Sequence, residues 1–339
     1  MRHKLQKKVL RGGVLALSIF STIQFFSACG KKAEPPETFP TEAFVGIQST
    51  RPDIPAGAVE YNGDYYIPRD QLTTVLIMGL DKFEREESTI AYTNKMQSDF
   101  LLLAVIDEAA GQCELLHLNR DTMTEIHRLG FGGTDTGTFT GQLALAHTYG
   151  SGGSDSCLNA VKAVSNLLGG VQIDHYMTLT MDAVGKINDL VGGVTVTVLD
   201  DFTQIDPALE KGKEVTLKGE QALLYVRTRQ GLNDSSNLHR MERQRQYLEA
   251  FYGKLMEANK KVDGFLSSTL LKVNDDFSSD CTVNQLNALS ELLEDCKVNP
   301  IRTIDGTAAD GEEFVEFYVD EASLRENVMA LFYEKMAAG

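Results

Sequence analysis

The stretch that decides the fold is Asp99-Phe100-Leu101-Leu102-Leu103-Ala104-Val105-Ile106-Asp107, seven consecutive apolar residues between two carboxylates. Seven residues is the length of a strand. The lack of alternation means that both faces are buried, as in a sheet covered by helices on each side. Upstream, Val75-Leu76-Ile77-Met78-Gly79-Leu80 is a shorter apolar strand ending at Asp81. Downstream, Leu115, Leu116 and Leu118 mark a third strand that runs into Asn119-Arg120-Asp121-Thr122. Three strands so close together predict a meander at the start of a mixed sheet.

Working outward, residues 130–141 and 150–153 are glycine-rich and read as loops beside a helix from Ser156 to Leu168. A strand (Val171 to Leu179), a helix (Asp182 to Leu190, stopped by Gly192-Gly193) and a Val/Thr strand (Val194 to Leu199) follow. Lys218-Gly219-Glu220 opens a helical stretch, Gln221 to Tyr225, which leads into Val226-Arg227-Thr228-Arg229. A basic amphipathic helix covers roughly 239–261. Leu286, Leu289, Leu292 and Leu293 mark another helix. Leu324, Val328, Leu331 and Phe332 mark the last, with Asp320 as its N-cap. The fold class is α/β: an α/β/α sandwich with a central mixed β-sheet covered by helices on both faces. Residues 262–339 read as a C-terminal helical extension packed on the same domain.

The 339 residues carry 32 Lys and Arg against 48 Asp and Glu, a net charge of −16. Such an acidic chain lacks the basic footprint of a nucleic-acid binder. The N-terminus has the opposite character. Arg2, Lys4, Lys7, Lys8 and Arg11 precede an uncharged run from Gly12 to Ala28, which ends in Phe26-Ser27-Ala28-Cys29. Residues 1–29 therefore resemble a bacterial lipoprotein signal peptide with Cys29 as the lipidated residue, the alternative being an uncleaved signal anchor. Cleavage before Cys29 removes five basic and no acidic residues and leaves −21. Residues 30–71, with Pro35, Pro36, Pro40, Pro52 and Pro55, read as a tether. The expected location is extracytoplasmic, at the outer face of the cell membrane of a Gram-positive bacterium. There, Cys113, Cys157, Cys281 and Cys296 could form two disulfides, with Cys281–Cys296 the favoured local pair. No CxxC occurs, the six histidines are scattered, and no His-based metal centre is indicated.

There is no P-loop, no GxSxG elbow and no HExxH. What stands out is arginine gathered in one segment of an acidic chain: Arg227, Arg229, Arg240, Arg243 and Arg245. Guanidinium forks bind phosphate oxygens bidentately. Arg227 and Arg229 would face one side if their stretch is extended, and Arg240, Arg243 and Gln244 share a helical face. The competing reading is a solvated basic surface. Asp81 and Asp99, at the end of one strand and the start of the next, lie at one sheet edge if the strands are antiparallel. Two carboxylates with substrate phosphates are a usual way to hold Mg²⁺. Against this stands the frequency of Asp at strand ends as a turn former. Arg120-Asp121, at a third strand end, offers one further phosphate contact and one potential base.

In order and spacing, Gly79-Leu80-Asp81, Ser98-Asp99, Asn119-Arg120-Asp121-Thr122, Tyr149-Gly150, Leu190-Val191-Gly192-Gly193-Val194, Leu217 to Leu223, Tyr225 to Arg229, and Arg240 to Gln244 resemble the LytR-CpsA-Psr family over residues 72–255. The resemblance implies a catalytic domain over 72–261. It also implies a transferase that moves a glycopolymer (teichoic acid, capsule or similar) from a polyprenyl-pyrophosphate carrier to peptidoglycan. Asp81 and Asp99 would hold Mg²⁺, or Mn²⁺ in its place. Arg120, Arg227, Arg229, Arg240, Arg243 and Gln244 would contact the pyrophosphate, and Asp121 is a candidate base. The polyprenyl tail would lie in an apolar groove between sheet and helices. The expected partners are the polyprenyl-pyrophosphate-linked glycopolymer, peptidoglycan and, through the lipid anchor, the membrane, with no nucleic acid among them. This chain departs from the family pattern in four places. Phe100 follows the second carboxylate where Thr is usual, and Asn237 replaces an Asp three residues before Arg240. Gln142-Leu143-Ala144 replaces Lys-Ile-Asn, and a lipid anchor replaces a signal-anchor helix. Two other classes stand beside the transferase: a non-catalytic binder of polyprenyl-pyrophosphate or wall polymer, and a polyprenyl-pyrophosphate hydrolase.

Overall fold

In the computed structural model, residues 55, 57–81, 96–232, 234–262 and 264–336 are described. The signal peptide, Cys29 and residues 30–54 of the tether lie outside the described residues. Strand structure begins within the stretch read as tether. β1 (Val59–Tyr61) and β2 (Asp64–Pro68) pair as a hairpin. Asn62-Gly63 between them takes positive φ at both positions, 52° and 82°, the turn that matches strand twist. The prolines around this short hairpin hide its Asn-Gly signal.

β3 (Leu72–Leu80), β4 (Ser98–Asp107) and β5 (Gln112–Leu118) form the expected antiparallel meander. β7 (Asp135–Gln142) forms within the stretch 130–141 that was expected to be glycine-rich loop, paired with β6 (Met123–Leu129) before it. Glycine is poor in strand propensity, and partner pairing here overrides it. α1 (Leu145–Thr148) and α2 (Gly153–Leu167) lead to β8 (His175–Thr180), parallel to β3. Next come α3 (Met181–Leu190), a hairpin of β9 (Val194–Thr197) and β10 (Glu214–Leu217), α4 (Glu220–Arg227) and α5 (Asn237–Asn259).

The C-terminal segment is not simply helical. It contains α6 (Phe265–Lys272), β11 (Phe277–Ser279), α7 (Val283–Asp295), β12 (Lys297–Val298) and β13 (Arg302–Thr303). A hairpin of β14 (Gly306–Asp310) and β15 (Val315–Val319), then α8 (Glu321–Phe332) and β16 (Tyr333–Lys335), complete it. The central sheet runs β11-β8-β3-β4-β5-β12, with β13 also beside β5, so residues after 262 supply both of its edges. Strands of two or three residues are too short to show alternation in sequence. Asp320 caps α8 as expected, its side chain accepting from the Ser323 N–H at 2.8 Å.

Both sheet faces are apolar, as the Phe100–Ile106 run requires. Leu76, Met78, Leu80, Leu101 and Leu103 pack with Ala160 and Val164 of α2 and Leu324 and Val328 of α8. Val75, Ala104 and Ile106 turn the other way, toward Leu289 of α7. Between this second face and α3, α5, α6 and α7 lies a cavity of about 310 Å³ lined almost wholly by apolar side chains. The favoured Cys281–Cys296 bridge does not form, and all four cysteines are free. The 13 residues of α7 lie between the two, and at ~1.5 Å per residue they span roughly 20 Å, far beyond disulfide reach.

Two histidines are buried in this core. Burial lowers the pKa of His117 in β5 to about 3, helped by the charges of Arg245 and Arg240; burial lowers that of His147 in α1 to about 4. Unfolded histidine titrates near 6.5, so folding excludes the proton from both rings. Their contribution to stability is complete above about pH 6.5 and is lost as pH falls through the folded values. Thermal unfolding midpoints should therefore decline from pH 6.5 toward 4, with a shallower decline in His147→Gln. An identical pH slope in that variant would contradict the assignment.

Candidate functional site

The site forms where β3 and β5 end and β4 begins. The antiparallel register Leu80↔Ser98 brings Asp81 and Asp99 to one sheet edge, and Arg120-Asp121 follows β5 on the other side of β4. Asp99 is buried, and its Oδ1 accepts from Nη1 of buried Arg120; Arg240 Nη1 lies 3.9 Å from the same oxygen. Arg120 also donates to Gln97, and its Nε lies 3.6 Å from Asp121 Oδ1. Asp81 Oδ1 accepts from Arg227 Nη2 at 3.1 Å. Partial burial and the neighbouring Asp99 carboxylate raise the Asp81 pKa, opposed by Arg227 and Arg120. Two hard-oxygen donors that repel each other are the donor set that Mg²⁺ takes up, with phosphate and water completing its shell. The residues present fit that ion.

Asp121 is nearly enclosed. Its Oδ1 accepts from Gln142 Nε2 at 2.9 Å, and burial raises its pKa despite Arg120, Arg229 and Arg240 nearby. Gln142 also bonds the Val315 carbonyl at 2.8 Å, tying the β15 segment to the site. Arg240 is held by an amide relay: its Nη2 donates to Asn237 Oδ1 at 2.5 Å, and Asn237 Nδ2 donates to Asn119 Oδ1 at 2.6 Å. Asn237 thus orients Arg240 without charge. Burial lowers the Arg240 pKa to about 10, and its Nε has no hydrogen-bond partner among the described residues.

The remaining arginines divide into two kinds. α4 continues through Arg227, so Arg227 and Arg229 do not share an extended strand face. Arg227 is half exposed, and Arg229 makes no hydrogen bond or ion pair among the described residues. Arg243 departs from its expected role as a pyrophosphate contact. It is 1% exposed, and its guanidinium is spent on Asp200, the Tyr225 carbonyl at 3.0 Å and the Thr228 carbonyl, with Phe202 against its face. Its work is to clamp α5 to the end of α4 and so place Arg227 and Arg229. Gln244 is likewise turned inward, with Nε2 on the Val226 carbonyl at 3.1 Å and a buried Oε1 that has no hydrogen-bond partner among the described residues. The chain therefore brings together Asp81, Asp99, Arg120, Asp121, Arg227 and Arg240, with Arg229 near enough to act on Asp121 and Arg240.

Sequence reasoning misses Gln97 and Asp200, which hold Arg120 and Arg243. Asp200 ends the Val/Thr strand as Asp81 ends its own, a position that could have marked it; Gln97 carries no such signal. The apolar cavity adjoins the charged cluster. Gly79, Phe100, Val226 and Gln244 line it, and each stands within four residues of Asp81, Asp99, Arg227 or Arg240. Phe100 packs its ring 4.9 Å from that of His117. At Gly79 an added Cβ would lie 2.9 Å from Phe100 Cβ, so glycine allows the two strands to close at the head of the cavity.

The LytR_cpsA_psr family model matches residues 49–331. A polyisoprenyl-teichoic acid–peptidoglycan teichoic acid transferase, TagU, from Halalkalibacterium halodurans is 31% identical over 177 residues. That match covers 52% of this chain and 51% of TagU, so the chain spans about half the length of this curated relative. Among solved structures, protein gbs0355 from Streptococcus agalactiae superposes with a TM-score of 0.61 at 19% identity, over 76% of this chain and 87% of its own. TagT bound to LIIa-WTA superposes at 0.57 with 24% identity, over 77% and 89%. These likenesses establish the same fold.

Arg243→Ala should destabilise the protein by about 3–5 kcal/mol, because it strands the buried Asp200 carboxylate. Arg229→Ala should stay within about 0.5 kcal/mol of the parent. Denaturant unfolding of the two variants checks the division, and equal losses would refute it.

Proposed function

Because the chain belongs to the LytR_cpsA_psr family, we propose that it transfers a glycopolymer from a polyprenyl-pyrophosphate carrier to peptidoglycan. One observation carries this reading: an almost entirely apolar cavity, lined by Gly79, Phe100, Val226 and Gln244, adjoins the segments that carry Asp81, Asp99, Arg240 and the exposed Arg227. That is the complement of an amphiphile with an anionic head and a hydrocarbon tail. The tail would occupy the cavity between β3, β4 and β8 and the helices, and the pyrophosphate would sit among Arg120, Arg227, Arg229 and Arg240. The name of the TagU relative supports the substrate class.

In this mechanism a peptidoglycan hydroxyl attacks the phosphorus bearing the glycopolymer, and polyprenyl phosphate leaves. Oxygen of the acceptor forms the new phosphoester as the pyrophosphate bridge breaks, and the hydroxyl proton passes to a base, for which Asp121 is the candidate. Arg227 and Arg229 neutralise charge growing on the transferring group, while Arg120 and Arg240, pinned by Asp99, fix its orientation before reaction. Mg²⁺, or Mn²⁺ in its place, held by Asp81 and Asp99 would neutralise phosphate oxygens as a Lewis acid. The lipid on Cys29 would hold the protein at the outer face of the membrane, where its substrate lies.

Arg227→Ala and Arg229→Ala should each abolish release of polyprenyl phosphate while leaving the circular dichroism spectrum unchanged; parental turnover in either would sink the assignment. Chelation should stop the parent, and added Mg²⁺ should restore it. Turnover without peptidoglycan would instead mark a hydrolase. Binding of the lipid without any release would mark a non-catalytic binder, the reading that the Phe100 and Asn237 departures raise.

A further inference from the structure

A second group of metal-ligating side chains lies at the opposite end of the sheet from the arginines. His175 opens β8, and Asp280-Cys281 follows β11 directly and precedes the N-cap of α7. The antiparallel register Ser279↔Met177 brings the two segments together. His175 pairs with Val75 on β3, six residues before Asp81 and so about 20 Å from it at ~3.3 Å per residue.

Asp280 Oδ1 accepts the Tyr176 N–H at 3.0 Å, which fixes the carboxylate. His175 Nδ1 is 3.6 Å and Cys281 Sγ 3.8 Å from that same oxygen, and all three ligand atoms lie within 4.8 Å of one another. The His175 Nδ1 is buried without a hydrogen-bond partner among the described residues. Around a tetrahedral zinc ion with bonds of about 2.0–2.3 Å, ligand atoms are separated by roughly 3.3–3.8 Å. The three groups therefore already stand near the separations a shared ion requires. Nitrogen, oxygen and sulfur donors together suit Zn²⁺ rather than Mg²⁺.

We propose that His175, Asp280 and Cys281 bind a zinc-class divalent cation, with solvent as fourth ligand, and that the ion pins the start of α7 to β8. On binding, the Cys281 thiol proton leaves to solvent as the sulfur–metal bond forms. The pinned segment matters because Phe277, Leu286 and Leu289, on either side of Asp280-Cys281, line the apolar cavity. The ion is thus a fastener for one wall of that cavity, independent of whatever the cavity holds.

The test is Co²⁺ titration of the metal-free full chain in detergent, followed by Zn²⁺ competition. The expected result is one Co²⁺ per chain with a thiolate-to-cobalt absorption band, displaced by Zn²⁺ but not by excess Mg²⁺. His175→Gln and Cys281→Ser should each weaken binding at least about tenfold, whereas Cys157→Ser should not. Circular dichroism of the metal-free variants identifies any that fail to fold, and the other then decides. Absence of a stoichiometric site in the parent, or a band that survives Cys281→Ser, would overturn the proposal.

Discussion

The site depends on one buried carboxylate that serves two buried guanidinium groups. Asp99 takes Arg120 by a direct hydrogen bond and lies within 4 Å of Arg240. Without it, two like charges would be held in a desolvated space with only Asp121 beside them to offset both, and an uncompensated buried charge costs several kcal/mol per ion. Asp99 can do this because the antiparallel start of β4 places it at the sheet edge, between the ends of β3 and β5. The rest of the cluster is arranged around that choice: Gln97 takes a second Arg120 nitrogen, and Asn237 and Asn119 relay the hold on Arg240 through amides. Neutral amides orient a guanidinium without cancelling its charge. Asn237 therefore holds Arg240 without adding a negative charge beside it.

Charge and cavity are two consequences of the same strands. Along β3 the residues Leu76, Met78 and Leu80 enter the core with α2 and α8, while Val75, Ile77 and Gly79 face the cavity. Period-two alternation then ends at Asp81 on the cluster. A tail lying along that face would deliver its head group to the carboxylates and arginines without any further structure to guide it. Phe100 joins the two regions, with its neighbour Asp99 in the charged cluster and its own ring in the cavity lining.

Much of this is legible in the sequence, and the limits are physical. The uninterrupted run from Phe100 to Ile106 identifies a strand buried on both faces, leucine spacing identifies α7 and α8, and Asp320 marks the start of α8. The short edge strands are not legible, because two or three residues cannot show a period and their existence rests on partners far away in the chain. The same limit applies to the site. Asp81, Asp99 and Arg120 can be read as strand-end residues, and the arginine segment as a cluster. Composition alone does not separate Arg243, which is consumed by Asp200 and two carbonyls, from Arg229, which makes no such bonds. That distinction belongs to tertiary packing. His175 and Asp280-Cys281, more than a hundred residues apart, show no ligand spacing at all until β11 pairs with β8.

The net charge of −16 gains a specific meaning from the geometry. Spread over the surface, it repels extended polyanions. In the site itself, four guanidinium groups (Arg120, Arg227, Arg229 and Arg240) face three carboxylates (Asp81, Asp99 and Asp121), leaving a small positive excess before any ion is added. On the proposed function, a compact anion carrying its own hydrocarbon tail would gain from that local field and from the cavity together, while a polyanion lacking the tail would meet mainly the repulsive surface. Selectivity would then come from the tail as much as from the phosphate, and the acidic surface would act as a filter against anions not presented at the membrane.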